Sequence, residues 1–364
     1  MSSISRLKVA KMLSAMALSQ AGCVEYQKPP PRYSSEAMSF APPHTQGTSA
    51  LVGPRPTSIA VPDASKPSGP RLQANGRNRL AGTLLKKKVS TLFRHFPSAL
   101  TGDVEAIHQL RVWGRRLRVA LPLLVAKPDG RRATRTRRLL RLLTQAAGSS
   151  RDLDVLLESY DDRLKALPAR SMEQNVLRHR LASARRRSRA RMVENLLDLE
   201  ISRLRGDLAG LIARGGPPAA IVCERFAALS ERESRCLHDG FTRLGTRLDA
   251  GELHALRRRA RRLRYAVEVW GQIRGVESSP TKPWKSLQDL IGVIHDHHVL
   301  AEWFDQQARN DRKRGKQALA ATADEEAAWA RTAMRRMHED FLAANPLAVI
   351  ARGLAALGQA APAQ

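Results

Sequence analysis

The sequence predicts an all-α protein built on an internal repeat of helical hairpins and preceded by a disordered N-terminal segment. Three observations carry this reading. Leu, Ala and Arg dominate a composition with only 4% aromatic residues and few β-branched runs, which favours helix over strand. Apolar residues recur at helical spacing almost continuously beyond the N-terminal segment. One eleven-residue pattern, HxLRxxxRRLR, occurs twice, at 108–118 and 254–264, so that His254 follows His108 by 146 residues.

Taken in order, residues 1–71 are expected to hold no core. Half of the chain's 20 prolines lie at or before Pro70, with Ser, Thr and Gly between them. At the start, Arg6, Lys8 and Lys11 precede a short apolar run at 12–18 and then Ala21-Gly22-Cys23. That order outlines a lipoprotein signal, but Gln20 stands where such a signal wants Leu, and Ser14 interrupts the run. An unstructured leader, with a start codon assigned too far upstream, fits better; export through an atypical signal is the alternative.

The folded region is placed at 72–357, with a tail at 358–364. In its first half, 72–214, a helix is predicted over about 78–96, stopping before Pro97. Thr101-Gly102-Asp103 caps the first motif helix, which Pro122 should kink or end. Further helices follow over about 132–147, from Ser149 through SSRDLDVLLESYDDRL, over 172–199 and to about 213. Gly215-Gly216-Pro217-Pro218 marks the clearest break. The second half, 219–357, repeats the order. A helix over about 219–248 leads to the cap region Asp249-Ala250-Gly251, and the second motif helix runs to about 273. After a loop with Pro280 and Pro283, a helix over about 285–294 precedes HDHHVLAEWF, followed by helices over about 324–344 and to 357. A second shared segment, 148–155 matched to 292–299, lies at an offset of 144 residues, which supports duplication of a hairpin unit.

Each motif helix is two-sided. At about 100° per residue, His108, Arg111, Arg115 and Arg118 fall within roughly one quadrant, as do His254, Arg257, Arg261 and Arg264. The opposite faces carry apolar seams, Leu110, Leu117, Leu121 and Leu124 in one copy and Leu256, Leu263, Val267 and Trp270 in the other. Cations on one stripe repel each other, so a polyanionic ligand is the simplest source of compensation. The overall charge agrees: the net charge is +28, from 62 Lys+Arg against 34 Asp+Glu. Only eight basic and three acidic residues fall in 1–75, so the excess belongs to the folded region. Nucleic acid, an acidic membrane surface or an inorganic polyanion are the partner classes this implies. No stretch is apolar and long enough to span a membrane.

Other features are weaker. Arg141 and Lys285 hold matched places ahead of the second shared segment and are added as further ligands. Arg185 and Arg189 could line a groove or face water, with water favoured. Asp152, Asp154 and Asp296 are read as partners that orient arginines. The run His295-Asp296-His297-His298 invites a metal, and His298 and Glu302 are one turn apart, but no His-Glu-x-x-His pattern occurs and adjacent histidines diverge on a helix, so no metal site is predicted. Three cysteines have no metal-like spacing, and Cys223 and Cys236 are read as buried small residues. With no Gly-rich phosphate loop and no nucleophile beside a His and an acid, a non-catalytic binding module without a cofactor is expected.

HQLRVWGRRLR with GSSRDLDVLL in the first half, and HALRRRARRLRYAVEVW with LQDLIGVIHDHHV in the second, together resemble the CHAD domain, the conserved histidine α-helical domain. The resemblance covers about 72–357. It implies a tandem, pseudo-symmetric pair of helical bundles whose basic surfaces converge on a central groove, with binding of inorganic polyphosphate and, in some members, association with polyphosphate granules; a cytoplasmic location is expected here. By the same resemblance the ligand residues are His108, Arg111, Arg115, Arg116 and Arg118, and His254, Arg257, Arg261, Arg262 and Arg264. The chain departs from the family pattern at His295-Asp296, where Asn-Asp is usual, and at Pro122 inside a motif helix. Nucleic-acid binding through the same surface, or regulation of a separate triphosphatase, are the alternative readings.

Overall fold

A computed structural model of the protein describes residues 72–275 and 282–359. The predicted leader and Pro-rich segment at 1–71, with Cys23, lie outside the described residues, as do 276–281 and the end of the tail at 360–364. Among the described residues every regular element is an α-helix, and the fold is all-α.

The two motif helices are set up in the same way. α1 (Leu72–Leu100) turns back through Gly102 into α2 (Val104–Leu124). Gly102 has φ +89°, a left-handed conformation that strains any residue with a Cβ. Asp103 then caps α2 by accepting the Ala106 N–H at 2.6 Å. In the second half α7 (Ala219–Leu244) turns at Gly245, φ +56°, into α8 (Ala250–Arg274). Asp249 caps α8 by accepting the Glu252 N–H at 2.8 Å. Asp103 and Asp249 are separated by the motif's own offset, so the repeat includes the caps as well as the helices.

The remaining helices are α3 (Arg131–Ala146), α4 (Gly148–Lys165), α5 (Met172–Leu197) and α6 (Ile201–Ala213) in the first half, and α9 (Lys282–Lys313), α10 (Gln317–Ala343) and α11 (Pro346–Gln359) in the second. Their packing interleaves the halves. The hairpin α1–α2 packs with α7–α8, and all eight predicted seam residues are buried there. The hairpin α4–α5 packs with α9–α10 around a second core. Leu156, Tyr160, Leu177 and Leu181 from the first half meet Leu300, Phe304, Ala323 and Ala327 from the second, with Tyr160 set edge-on to Phe304 at 4.9 Å. Each large apolar side chain so buried contributes about 1.5–3 kcal/mol, and this core is shared between the halves. The two bundles are joined where α2 packs on α3 and α4, and α8 on α9.

Several boundaries differ from expectation. Pro97 lies inside α1, in its last turn, so that helix loses one donor there without breaking, whereas α2 ends two residues after Pro122, as expected. The end of α2 is closed from α7: the Arg225 guanidinium donates to the carbonyls of Pro122 (3.2 Å), Val125 (2.7 Å) and Ala126 (3.3 Å). The helix expected over 285–294 does not stop before HDHHVLAEWF but continues to Lys313. The first half is interrupted at the matched point, at Ala147 between α3 and α4. Cys223 and Cys236, expected to be buried, are half-buried free thiols.

Candidate functional site

The two basic ridges face one cavity of about 1280 Å³. From α2 it is lined by His108, Arg111, Arg115 and Arg118, and from α8 by His254, Arg257, Arg258, Arg261 and Arg262. Arg137, Arg138 and Arg141 enter from α3, Arg151 and Asp152 from α4, Arg232 from α7, and His295 and Asp296 from α9. Twelve guanidinium groups therefore surround the space against two carboxylates.

The charges feel one another across the gap. Burial, followed by Arg111 of the same helix and Arg261 of the other, pushes the Arg115 guanidinium down to about 9. Burial and Arg257 push Arg261 down to about 10. Arg118 is lowered by burial, then by Arg141 and Arg262. A bound anion removes this strain directly, because it supplies the opposite charge in a partly desolvated place.

The matched positions differ instructively. Arg111 donates to Asp152 at 2.8 Å and to the Gly148 carbonyl at 3.2 Å. Its counterpart Arg257 donates to the Gln288 carbonyl at 3.1 Å and lies over Gly292, where a Cβ would stand 2.6 Å from Nη2. His108 faces Arg151, whereas His254 faces His295 with ring centroids 4.1 Å apart. Arg151 and His295 occupy the same place in the second shared segment. One end of the cavity thus carries a permanent cation and the other a pair of imidazoles. Burial and then His295 hold His254 down at about 4; burial lowers His108 and His295, with Arg151 and Arg257 the next causes. The downward shifts favour the neutral form of all three rings, which suits a role in orienting the neighbouring helices by hydrogen bonds. Asp296 is pushed up to about 6 by burial, with Asp152 adding and Arg257 opposing.

Not every predicted residue reaches the cavity. Arg116 and Arg264 point away from it and share Glu268, at 3.2 and 3.7 Å, beside Trp113 and Tyr265. Arg262 faces the cavity where its counterpart Arg116 does not, and Arg118 does where its counterpart Arg264 does not, so the two helices present slightly different edges. Lys285 is exposed on the first turns of α9 and lies outside the lining, whereas Arg141 lies within it. α9 runs unbroken through the point where α3 gives way to α4, so equal offset along the chain does not give equal position. Arg185 and Arg189, expected to face water, instead clasp the buried Asp154 at 2.5 and 2.7 Å.

The spacing argument missed Arg137, Arg138, Arg151, Arg232 and Arg258. Arg151 and Arg258 were within reach, one inside the second shared segment and the other a turn after His254. Arg137, Arg138 and Arg232 have no repeat signature. Among the described residues no three His, Cys, Asp or Glu side chains gather into a metal-holding group, and no helix is long and apolar enough to cross a membrane. His298 and Glu302 do share a face, at 3.5 Å.

Duplicated hairpins that turn two His/Arg helices toward one cationic cavity define an all-α repeat protein with a guanidinium-lined centre. The chain belongs to the CHAD domain family, whose model matches residues 83–305. It is similar to two uncharacterized proteins of Mycobacterium tuberculosis, MT2285 and Rv2226, each 26% identical over 258 residues covering 66% of this chain. The chain spans about half the length of these curated relatives, 47% of each. Among solved structures it is similar to the crystal structure of the CHAD domain from the plant Ricinus communis, at 24% identity and a TM-score of 0.49, over 77% of this chain and 92% of that one.

Proposed function

We propose that the protein is a non-catalytic binder of inorganic polyphosphate, held in the cavity between α2 and α8. The observation that carries this is the ratio of twelve arginines to two acids around one half-open cavity. Arg115, Arg118, Arg141 and Arg261 have no acidic partner of their own, so their donors are available. Arginine suits a phosphate polymer because its planar fork donates two bonds to one phosphate and keeps its charge. Successive guanidiniums one helical turn apart then follow successive phosphates. From the family resemblance, and not from the geometry, granule association in a cytoplasmic setting is the proposed context.

Nucleic acid is the competing ligand. Tyr265 is the one Phe, Tyr or Trp in the lining among the described residues, which leaves little surface for stacking bases. The test is a titration of the full chain with long-chain polyphosphate against duplex DNA and RNA of equal charge at moderate salt. Polyphosphate should bind far more tightly; equal competition by RNA would overturn the reading. Charge-assisted hydrogen bonds contribute about 1.5–3 kcal/mol each. Changing Arg111, Arg115, Arg257 and Arg261 together to Gln therefore removes about 6–12 kcal/mol, enough to abolish a micromolar complex of about 8 kcal/mol. Circular dichroism should show the helices intact.

A further inference from the structure

A second cavity, of about 400 Å³, lies between α5 and the last third of α9 and shares no lining residue with the first. Its chemistry is different. Trp303 forms part of its wall, half-buried, with Phe304 set edge-on behind it at 5.2 Å and 74°, so the indole plane is fixed by the core. Gln307 and Asn310 follow Trp303 along one face of α9, and Arg314 continues the line from the turn just past the helix end, its N–H bonded to the Asp311 carbonyl at 3.0 Å. Across the groove, Arg180 is held by two bonds to the fully buried Asp311, at 2.5 and 3.0 Å, which neutralises it and locks the two helices together. Arg187 and Arg314 line the same space, are exposed, and have no acidic partner.

This pair also sets the direction of the helices. Arg180 lies beside Asp311, and Arg187, two turns further on α5, lines the same groove as Trp303, two turns back on α9. The two helices therefore run antiparallel here. One end of the groove offers an aromatic plane with a cation beside it. The other end offers His179, Arg314 and the Asn310 amide, whose oxygen already accepts from Gln306 at 2.9 Å while its nitrogen is free.

An inorganic phosphate polymer gains nothing from an indole face. A ligand that is flat and aromatic at one end and anionic at the other uses every group in the groove. We propose that this groove is a second binding site that takes a nucleoside polyphosphate, with the base on Trp303 and the phosphates against the unpaired cations. The volume lies at the lower end of the range for small-molecule sites, which suits a single nucleotide. Base–aromatic stacking contributes about 1–3 kcal/mol, and the exposed cations add orientation more than affinity.

The probe is ATP, titrated calorimetrically into the full chain beside tripolyphosphate, which has the same phosphates without the base. ATP should bind the groove about tenfold more tightly than tripolyphosphate, the factor that stacking supplies. Trp303→Leu should lose about the same factor. Because Trp303 also touches the core, Arg187→Glu with Arg314→Glu provides a second variant on exposed positions, and it should weaken ATP while leaving the melting curve unchanged. The variant with Gln at Arg111, Arg115, Arg257 and Arg261 should keep this ATP affinity, which separates the groove from the central cavity whichever way the polyphosphate titration falls. ATP binding that survives both groove variants when they are combined with Gln at Arg111, Arg115, Arg257 and Arg261, or tripolyphosphate displacing ATP at equal concentration in that same background, would overturn the proposal.

Discussion

Asp154 is 3% exposed in its side chain and sits between two guanidiniums that come from a different helix. Removing its charge leaves Arg185 and Arg189 half-buried and uncompensated, and breaking such a pair costs about 3–5 kcal/mol. Asp154→Asn is therefore expected to lower the urea midpoint sharply. It should leave polyphosphate affinity in the surviving folded fraction little changed, because neither arginine lines the central cavity. A binding loss without a stability loss would place this trio in the ligand site. At this scale the sequence was partly legible. Helical periodicity in the motif found five of the twelve arginines that line the cavity, Arg111, Arg115, Arg118, Arg257 and Arg261, because it decides which side of a helix a residue takes. It did not reveal which arginines are consumed by internal acids. Glu268 could have been read as the partner of Arg264, one turn away on the same helix; Asp154 was read as an arginine's partner, but not of which arginine, since 31 residues separate it from Arg185.

Among the elements, α2 depends on a residue far away in sequence. Arg225 satisfies carbonyls at its C-terminus, and Arg225→Ala is expected to cost about 1.5–3 kcal/mol, read as a lower melting temperature; an unchanged curve would mean water caps α2 equally well. His254, near the start of α8, and Asp296, in the middle of α9, make binding pH-dependent. In the free protein Asp296 titrates at about 6 and His254 at about 4. A bound polyanion favours the protonated form of every such group, raising each value, so binding takes up protons and tightens as acidity increases. Affinity should rise between about pH 8 and pH 6, most steeply as Asp296 loses its charge. A flat profile in competition titrations would remove Asp296 and the imidazoles from contact with the ligand. The helices themselves were legible through caps, seams and repeats. Pro97 misled, because a proline in a last turn costs one hydrogen bond and not the helix.

For the whole molecule, the decisive feature is that each bundle draws one hairpin from each half. The repeat was legible as two matched offsets, and the meeting of the ridges as a consequence of charge. The interleaving was not, because hairpin pairing is fixed by apolar side chains such as Leu156, Tyr160, Leu300 and Phe304, which fit either arrangement in one dimension. Residues 72–214 expressed alone should not unfold cooperatively, since they carry only half of each core; a sharp two-state transition for this fragment would contradict the shared core. Ligand affinity in the full chain should fall steeply with added salt, as counterions compete for the guanidiniums.

Duplication ordinarily frees one copy to drift, because the other preserves the original role. Here that freedom is absent. A substitution at Tyr160 is felt by Phe304, and the end of α2 answers to Arg225. The descendants of one ancestral unit are thus bound to co-evolve, and loss of either would dismantle both.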